Sequence, residues 1–318
     1  MNYRRLVSTH ATAFACLVAA GACSPGMTVT NPGDAGAVPA VGGADLSTSA
    51  ATPDLADPDS VTIALSTFKV PAGGETFKCQ NFKNPFGADA EVRLWESHMA
   101  PGSHHLLVFY KDNLSDGPLA DCSGLEFDAS PYSAQTPDAT IGYPDGVAAL
   151  MPAGKGLRLA SHYLNTTPNE ITAEVRLTIH KARPGTVTAH AGVYFFLNPN
   201  IFLKPSPDPQ QVTQTCTLKQ DMTVLYALGH MHRHATNMTA TVDGMPLYAT
   251  DSWDNSPFQP LMPSVALKAG QKITYTCTFL NNTNGYLTFG ESARTNEMCI
   301  FEGQFYPAPD GVATIGCN

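Results

Sequence analysis

The stretch ITAEVRLTIHKA, residues 171–182, places Ile171, Ala173, Val175, Leu177 and Ile179 at every second position, with Thr172, Glu174, Arg176, Thr178 and His180 between them. A period of two sends successive side chains to opposite faces, so the stretch reads as a strand with one apolar face. Outward from it lie similar alternating or β-branched runs: VTIALSTFKV (61–70), HHLLVFYK (104–111), GLRLASHYL (156–164), HAGVYFFLN (190–198), TVLYALGHMH (223–232), MTATVDGMPLYAT (238–250), KITYTCTFL (272–280) and IFEGQFYP (300–307). Turn residues break them, and no window of twelve residues keeps a helical period, so helices are expected to be few and short. This pattern predicts an all-β chain of two antiparallel, jelly-roll-like β-sandwich domains in tandem, residues 59–189 and 190–318, and no alternating βαβ units. The Pro-rich stretch NPNIFLKPSPDPQQ (198–211) excludes a central strand and is a candidate interdomain or long-loop segment.

Composition agrees with export. The 318 residues include 26 Gly and 25 Pro, and only 14% are charged, against about 25% in an average soluble domain. The 43% of hydrophobic residues suffices for a sizeable core and rules out disorder or coiled coil for most of the chain. The formal charge is −9 with no basic run of five residues, so nucleic acid and anionic membrane surfaces find no electrostatic footprint. At the N-terminus, Arg4 and Arg5 precede an apolar run from Ala11 to Ala22, too short to span a bilayer, and then Cys23. Residues 1–22 therefore read as a signal peptide. Ala20-Gly21-Ala22 suits an ordinary signal peptidase, while small residues before Cys23 resemble a bacterial lipobox. The lipoprotein reading, with Cys23 lipidated, accounts for the Pro-, Gly- and Ala-rich tether over residues 23–58 and places the protein on the cell envelope, at the outer membrane or periplasmic face; the alternative is secretion.

Cys16 leaves with the signal peptide, and Cys23 is the proposed anchor. Cys79, Cys122, Cys216, Cys277, Cys299 and Cys317 remain, an even number suited to three disulfides in an oxidising compartment. Six cysteines allow 15 connectivities, and no CxxC spacing points to a zinc knuckle or a redox pair.

Ten histidines include the pair His104-His105 and the alternating triple His230, His232 and His234. The pair is weak evidence, since chance alone supplies roughly 0.3 of one, whereas the triple has a chance expectation of roughly 0.01. On a strand its spacing puts the imidazoles on one face, where a metal collects two of them; the bland alternative is a polar strand end. A binuclear zinc hydrolase would want Asp where Arg233 stands, and a cupin would want a Glu shortly after the HxH, which ATNMTATVDG lacks. Met298 in RTNEMCIFEG is the soft donor that, with two imidazoles, would favour Cu(I), although a single Met is more often core filling.

The ordered set His104-His105, His162 in LASHYLN, His230-x-His232 and Glu297-Met298-Cys299 resembles the copper type II, ascorbate-dependent monooxygenases, the family of peptidylglycine α-hydroxylating and dopamine β-monooxygenases. The likeness runs from about Val61 to Cys317 and includes YPDGVAAL (143–150) and HAGVYFFLN. It implies two coppers per chain, one held by each domain at a water-filled cleft: an electron-transfer copper on His104, His105 and His162, and an oxygen-binding copper on His230, His232 and Met298. Those last three would be the catalytic residues. The resemblance also implies the pairs Cys79–Cys122, Cys216–Cys317 and Cys277–Cys299. The implied reaction hydroxylates a C–H bond of a small-molecule or peptide substrate with O₂ and ascorbate or a similar one-electron reductant. His234 has no counterpart role, and His98, His180 and His190 are read as structural.

The chain departs from the peptide-amidating branch. Leu228 stands where that branch has a substrate-binding Arg, and Ile300 and Glu302 replace its Asn and Tyr. A peptidylglycine substrate is disfavoured. Glu302 reads either as favouring an amine or neutral substrate or as a solvated rim carboxylate. Two non-catalytic readings stand beside the enzyme: a copper-sequestering surface lipoprotein, and a disulfide-stapled adhesion module, which the complete ligand set argues against.

Overall fold

A computed structural model of the chain describes residues 59–122, 126, 128–308 and 314–317. The signal peptide, Cys23 and the tether lie outside the described residues. Every regular element among the described residues is a strand, so the few short helices expected are not found. No helix there is long and apolar enough to cross a membrane.

The 171–182 stretch behaves as its alternation dictates. Ala173, Val175, Leu177 and Ile179 are buried while Thr172, Glu174 and Arg176 face solvent. Its main segment, Val175–Lys181, pairs antiparallel with Ser60–Ala64 and Ala90–Met99. From there a long sheet continues through Val147–Met151, Ala189–Leu197, Cys299–Tyr306 and Met222–Met231 to Gln259–Leu267. A five-stranded sheet lies in the order Ala120–Asp121, Glu75–Phe82, Lys155–Leu164, Ser103–Asp112, Tyr132–Ala134. A four-stranded sheet runs Gln210–Thr217, Lys272–Phe279, Ala235–Val242, Met245–Thr250.

The apolar core falls into two principal clusters. One gathers Val92, Trp95, Leu106, Leu159 and Ile179; the other gathers Tyr194, Val224, Ile273, Phe301 and Phe305. The strand Ala189–Leu197 joins the two halves of the long sheet. Its residues Ala189 to Ala191 pair parallel with Val147 to Ala149, and Gly192 to Leu197 pair antiparallel with Ile300 to Phe305. A second parallel pairing, Thr314–Gly316 on Val193 to Phe195, departs from a purely antiparallel architecture. The Pro-rich segment 198–211 is mostly loop, interrupted by the short strand Phe202–Leu203 and ending in the first residues of Gln210–Thr217. Ile201 and Leu203 are buried in the second core, and Phe202–Leu203 pairs with Leu287–Thr288.

Three disulfides close the structure: Cys79–Cys122, Cys216–Cys317 and Cys277–Cys299. They join the pairs that the resemblance implies, and they mark a chain that matures in an oxidising, exported environment.

Candidate metal centre

Two adjacent residues on a regular strand point to opposite faces, so His104 and His105 should not share a site. The backbone solves this with a bulge. In the pairing of Ser103–Asp112 with Lys155–Leu164, His162 lies opposite His105 and Tyr163 opposite Ser103, which leaves His104 as the extra residue. A bulge re-aims the side chain it carries. The rings of His104, His105 and His162 come together with 5.0 Å between each pair of centroids. Phe77, opposite His162 in the neighbouring strand, stacks on its ring at 3.9 Å.

His230 and His232 need no bulge. His230 lies in the strand Met222–Met231, hydrogen-bonded between Cys299–Tyr306 and Gln259–Leu267, and His232 follows directly after that strand. Their rings lie 5.3 Å apart. Glu297 fixes the turn beyond them, its Oε1 accepting the His234 N–H at 2.9 Å. That bond ties the segment carrying Met298 to the segment carrying both histidines.

The two sets meet. His230 lies 5.2 Å from both His104 and His105, and His232 lies 5.5 Å from His104, measured between ring centroids. Ligand nitrogens of His104, His105 and His162 fall within 4.8 Å of one another, and so do those of His104, His230 and His232. His104 thus belongs to both groups. All five rings are buried.

The chemistry of the donor set fits a soft or borderline metal. His104 Nδ1 and Nε2, His105 Nδ1, His162 Nδ1 and His232 Nε2 are buried without a hydrogen-bond partner. Buried polar atoms normally find partners, so converging orphan nitrogens are what a metal would satisfy. Metal–nitrogen bonds of about 2 Å put the ligands of one tetrahedral ion roughly 3.3 Å apart, so either group would draw its rings together to close on an ion. Burial, reinforced by repulsion among the rings, pushes His104, His105 and His230 well below the ordinary histidine value. His232 is lowered to about 3, by burial first and then by His162. Neutral imidazoles are the ligating form.

Two of the other ring nitrogens are held by the protein. Glu75 Oε1 lies 2.9 Å from His162 Nε2. Burial works to raise the Glu75 carboxyl, yet hydrogen bonds from His162, Ser292 and Ala293 outweigh it and bring it down to about 2. Burial likewise holds His162 below its ordinary value in spite of Glu75. Both directions agree with an ionised carboxylate accepting Nε2–H from a neutral imidazole, which leaves the Nδ1 lone pair for a metal. His232 Nδ1 lies 3.2 Å from the carbonyl oxygen of Asn296 and donates to it, which frees Nε2.

Met298, also buried, lines a cavity of about 490 Å³ together with His105 and His230. Three carboxylates border this cavity. Glu126 pairs with Lys111 and Arg158, and Asp128 with Lys111. Glu302 has no ion pair among the described residues; its Oε1 accepts the Ser133 hydroxyl at 3.1 Å. The rim-carboxylate reading of Glu302 is corrected, since the residue is 5% exposed. Burial pushes its carboxyl up to about 7. Gln135 also lines the cavity, buried, with neither amide atom partnered. Sequence reasoning missed Gln135 and Glu75, which carry no motif.

His98, His180 and His190 pair with Asp138, Glu96 and Glu91 respectively and belong to neither group of converging donors. His234 is partly buried and is likewise in neither group.

Fold and site define an all-β protein with a buried polyhistidine cluster able to hold a metal, beside a cavity of about 490 Å³. Residues 189–315 match the family model of the copper type II ascorbate-dependent monooxygenase, C-terminal domain, so the resemblance read from the motifs holds over that segment, which contains His230, His232 and Met298. No curated protein matches the chain. Among solved structures, similarity is found to the major capsid protein P2 from bacteriophage PM2 (10% identity, 77% of this chain and 97% of that chain, TM-score 0.34). It is also found to a structure of infectious bursal disease virus Gx strain (10% identity, 82% and 76%, TM-score 0.20). Likenesses this distant carry no functional argument.

Proposed function

We propose that the protein is an exported, copper-dependent monooxygenase that hydroxylates a C–H bond with O₂ and an ascorbate-like one-electron reductant. The observation that carries this reading is the convergence of partnerless, buried imidazole nitrogens from both halves of the chain beside a cavity lined by His105, His230 and Met298. His104, His105 and His162 would hold an electron-transfer copper, and His230, His232 and Met298 the copper that meets O₂. Three imidazoles suit cycling between Cu(II) and Cu(I), whereas a thioether favours Cu(I). When bound, copper supplies the one-electron steps and the oxidation of the C–H bond. The chain's own residues orient the ligands and bury the reacting site away from bulk water, which protects a reactive step from side reactions.

The cavity argues for catalysis over copper sequestration, since a storage site needs ligands but no room for a second molecule. Its lining also constrains the substrate. Ile300 offers no charge, and an ionised Glu302 would repel a carboxylate, so the substrate brings an ammonium or a neutral hydrogen-bond donor to Glu302. Cys23 would anchor the mature chain to the cell envelope by a lipid. The test is a panel of small amines and of their carboxylate counterparts, incubated with the copper-loaded protein, ascorbate and oxygen-18-labelled O₂. Label in an amine product supports the reading; label in none, or only in carboxylates, contradicts it.

A further inference from the structure

Glu75 opens the strand Glu75–Phe82 in the five-stranded sheet, yet its carboxylate serves residues from both halves of the chain. Oε1 accepts from His162 Nε2 at 2.9 Å and from the Ala293 N–H at 2.8 Å, and Oε2 accepts from the Ser292 hydroxyl at 2.6 Å. Next to it, the Arg294 guanidinium donates to the carbonyl oxygen of Gly73. The loop these contacts grip runs on to Asn296, whose carbonyl oxygen receives Nδ1–H of His232, and then to Glu297 and Met298.

A continuous path therefore joins the two ligand sets without passing through a metal. It leads from His162 to Glu75, through the backbone of Ser292 to Asn296, and into His232. At each end it fixes which ring nitrogen carries the proton, and so which one faces the cluster. His162 presents Nδ1 and His232 presents Nε2, and both are partnerless. Carboxylate and carbonyl partners of this kind orient a ligating imidazole and strengthen its basicity.

We propose that Glu75 is a positioning residue that couples the two metal-ligand sets, holding His162 directly and His232 through the Ser292–Asn296 loop. The coupling rests on the metal-binding reading above, whereas the clasp itself exists in the metal-free chain. Among the described residues Glu75 makes its hydrogen bonds to His162, Ser292 and Ala293 and not to His230, His232 or Met298, so a merely local role would leave the hydrogen-bonded orientation of His232 unchanged. Coupling extends the influence of Glu75 to the second set.

The test compares wild type with Glu75→Ala, Glu75→Gln and Ser292→Ala. In the copper-free protein, amide exchange at residues 292–297 and nitrogen NMR of the imidazoles report on the clasp alone. Glu75→Ala should accelerate exchange at Ala293 by about tenfold or more and mix the His232 tautomers, with the Met222–Met231 strand still protected. Glu75→Gln, which keeps an acceptor, should fall between. On the copper-loaded protein, the copper–sulfur signal in X-ray absorption of the reduced form marks the Met298 set. Glu75→Ala should weaken copper binding at that set as well as at the three-histidine set, by about 10- to 100-fold. Ser292→Ala, which leaves Glu75 and His162 in contact, should weaken the Met298 set and spare the other. Unchanged exchange and tautomers in Glu75→Ala, or copper loss confined to the three-histidine set, would overturn the proposal. If wild type binds no copper the monooxygenase reading fails, while the exchange and tautomer results still decide whether the clasp exists.

Discussion

His104 and His230 lie 5.2 Å apart, ring centroid to ring centroid, although one belongs to the five-stranded sheet and the other to the long sheet. Since His104 also joins His232 within one group of converging donors, it is the ring common to both sets. His104→Ala should therefore lower copper affinity at both sets, whereas His162→Ala should act mainly on the first. Losses of at least about tenfold are expected, since even outer partners of a ligand are worth that much. Competition titration with a copper chelator checks this; equal, single-site losses for the two variants would argue against a shared ring.

Acid should destabilise the metal-free chain. His104, His105, His162, His230 and His232 all sit below the ordinary value of 6.5 when folded. Below that pH the unfolded chain takes up protons that the folded chain refuses, so stability present above about pH 6.5 is lost as pH falls. Each such proton contributes up to about 1.4 kcal/mol per pH unit. The midpoint of urea unfolding should drop steeply between about pH 7 and 5, and copper loading should raise the midpoint across that range without flattening the slope, because the folded rings are proton-free with or without metal.

Glu302 runs the other way. Its folded value near 7 lies above the ordinary 4.5, so the stability it contributes is fully present below pH 4.5 and lost as pH rises toward 7. Glu302→Gln keeps a hydrogen-bond acceptor for Ser133 and removes that loss. The variant should gain stability over wild type as pH rises through this window, by roughly 3 kcal/mol at most. Parallel unfolding curves at pH 5 and 8 give the difference; no change with pH would place Glu302 in a solvated setting.

The Cys216–Cys317 bridge spans 101 residues and pins the segment Thr314–Gly316, where Thr314, Gly316 and Cys317 wall the cavity. Loop-closure entropy assigns such a bridge about 4 to 5 kcal/mol. Cys317→Ala should lower the melting temperature and open the cavity to solvent, which calorimetry and amide exchange at Val193 to Phe195 would register. Loss of stability with undisturbed exchange there would separate the bridge from the cavity wall.

What the sequence disclosed and what it hid follow from locality. Alternation exposed strands such as Val175–Lys181, and period-two spacing exposed His230 and His232. The strand Gln259–Leu267 escaped notice because Pro260 and Pro263 read as loop; it survives at the end of the sheet, hydrogen-bonded only to Met222–Met231, where Pro is tolerated. Glu75–Phe82 and Ala90–Met99 interleave too many polar residues for a periodic signal. His104 and His105 were legible only through the family's ordered motif, since the bulge that unites them arises in the pairing with Lys155–Leu164. Glu75 was illegible, because its loop partners Ser292 and Ala293 lie more than two hundred residues away.

Copper content and ascorbate-dependent O₂ consumption, measured on wild type and on Met298→Ile, decide whether the protein is a two-copper monooxygenase. Two coppers per wild-type chain and O₂ consumption well above that of free copper are expected. In Met298→Ile, the three-histidine copper should keep its electron paramagnetic resonance signal while O₂ consumption falls to the background. A wild-type chain with no tightly bound copper, or with a single copper indifferent to the loss of His230 or His232, would contradict the two-copper reading.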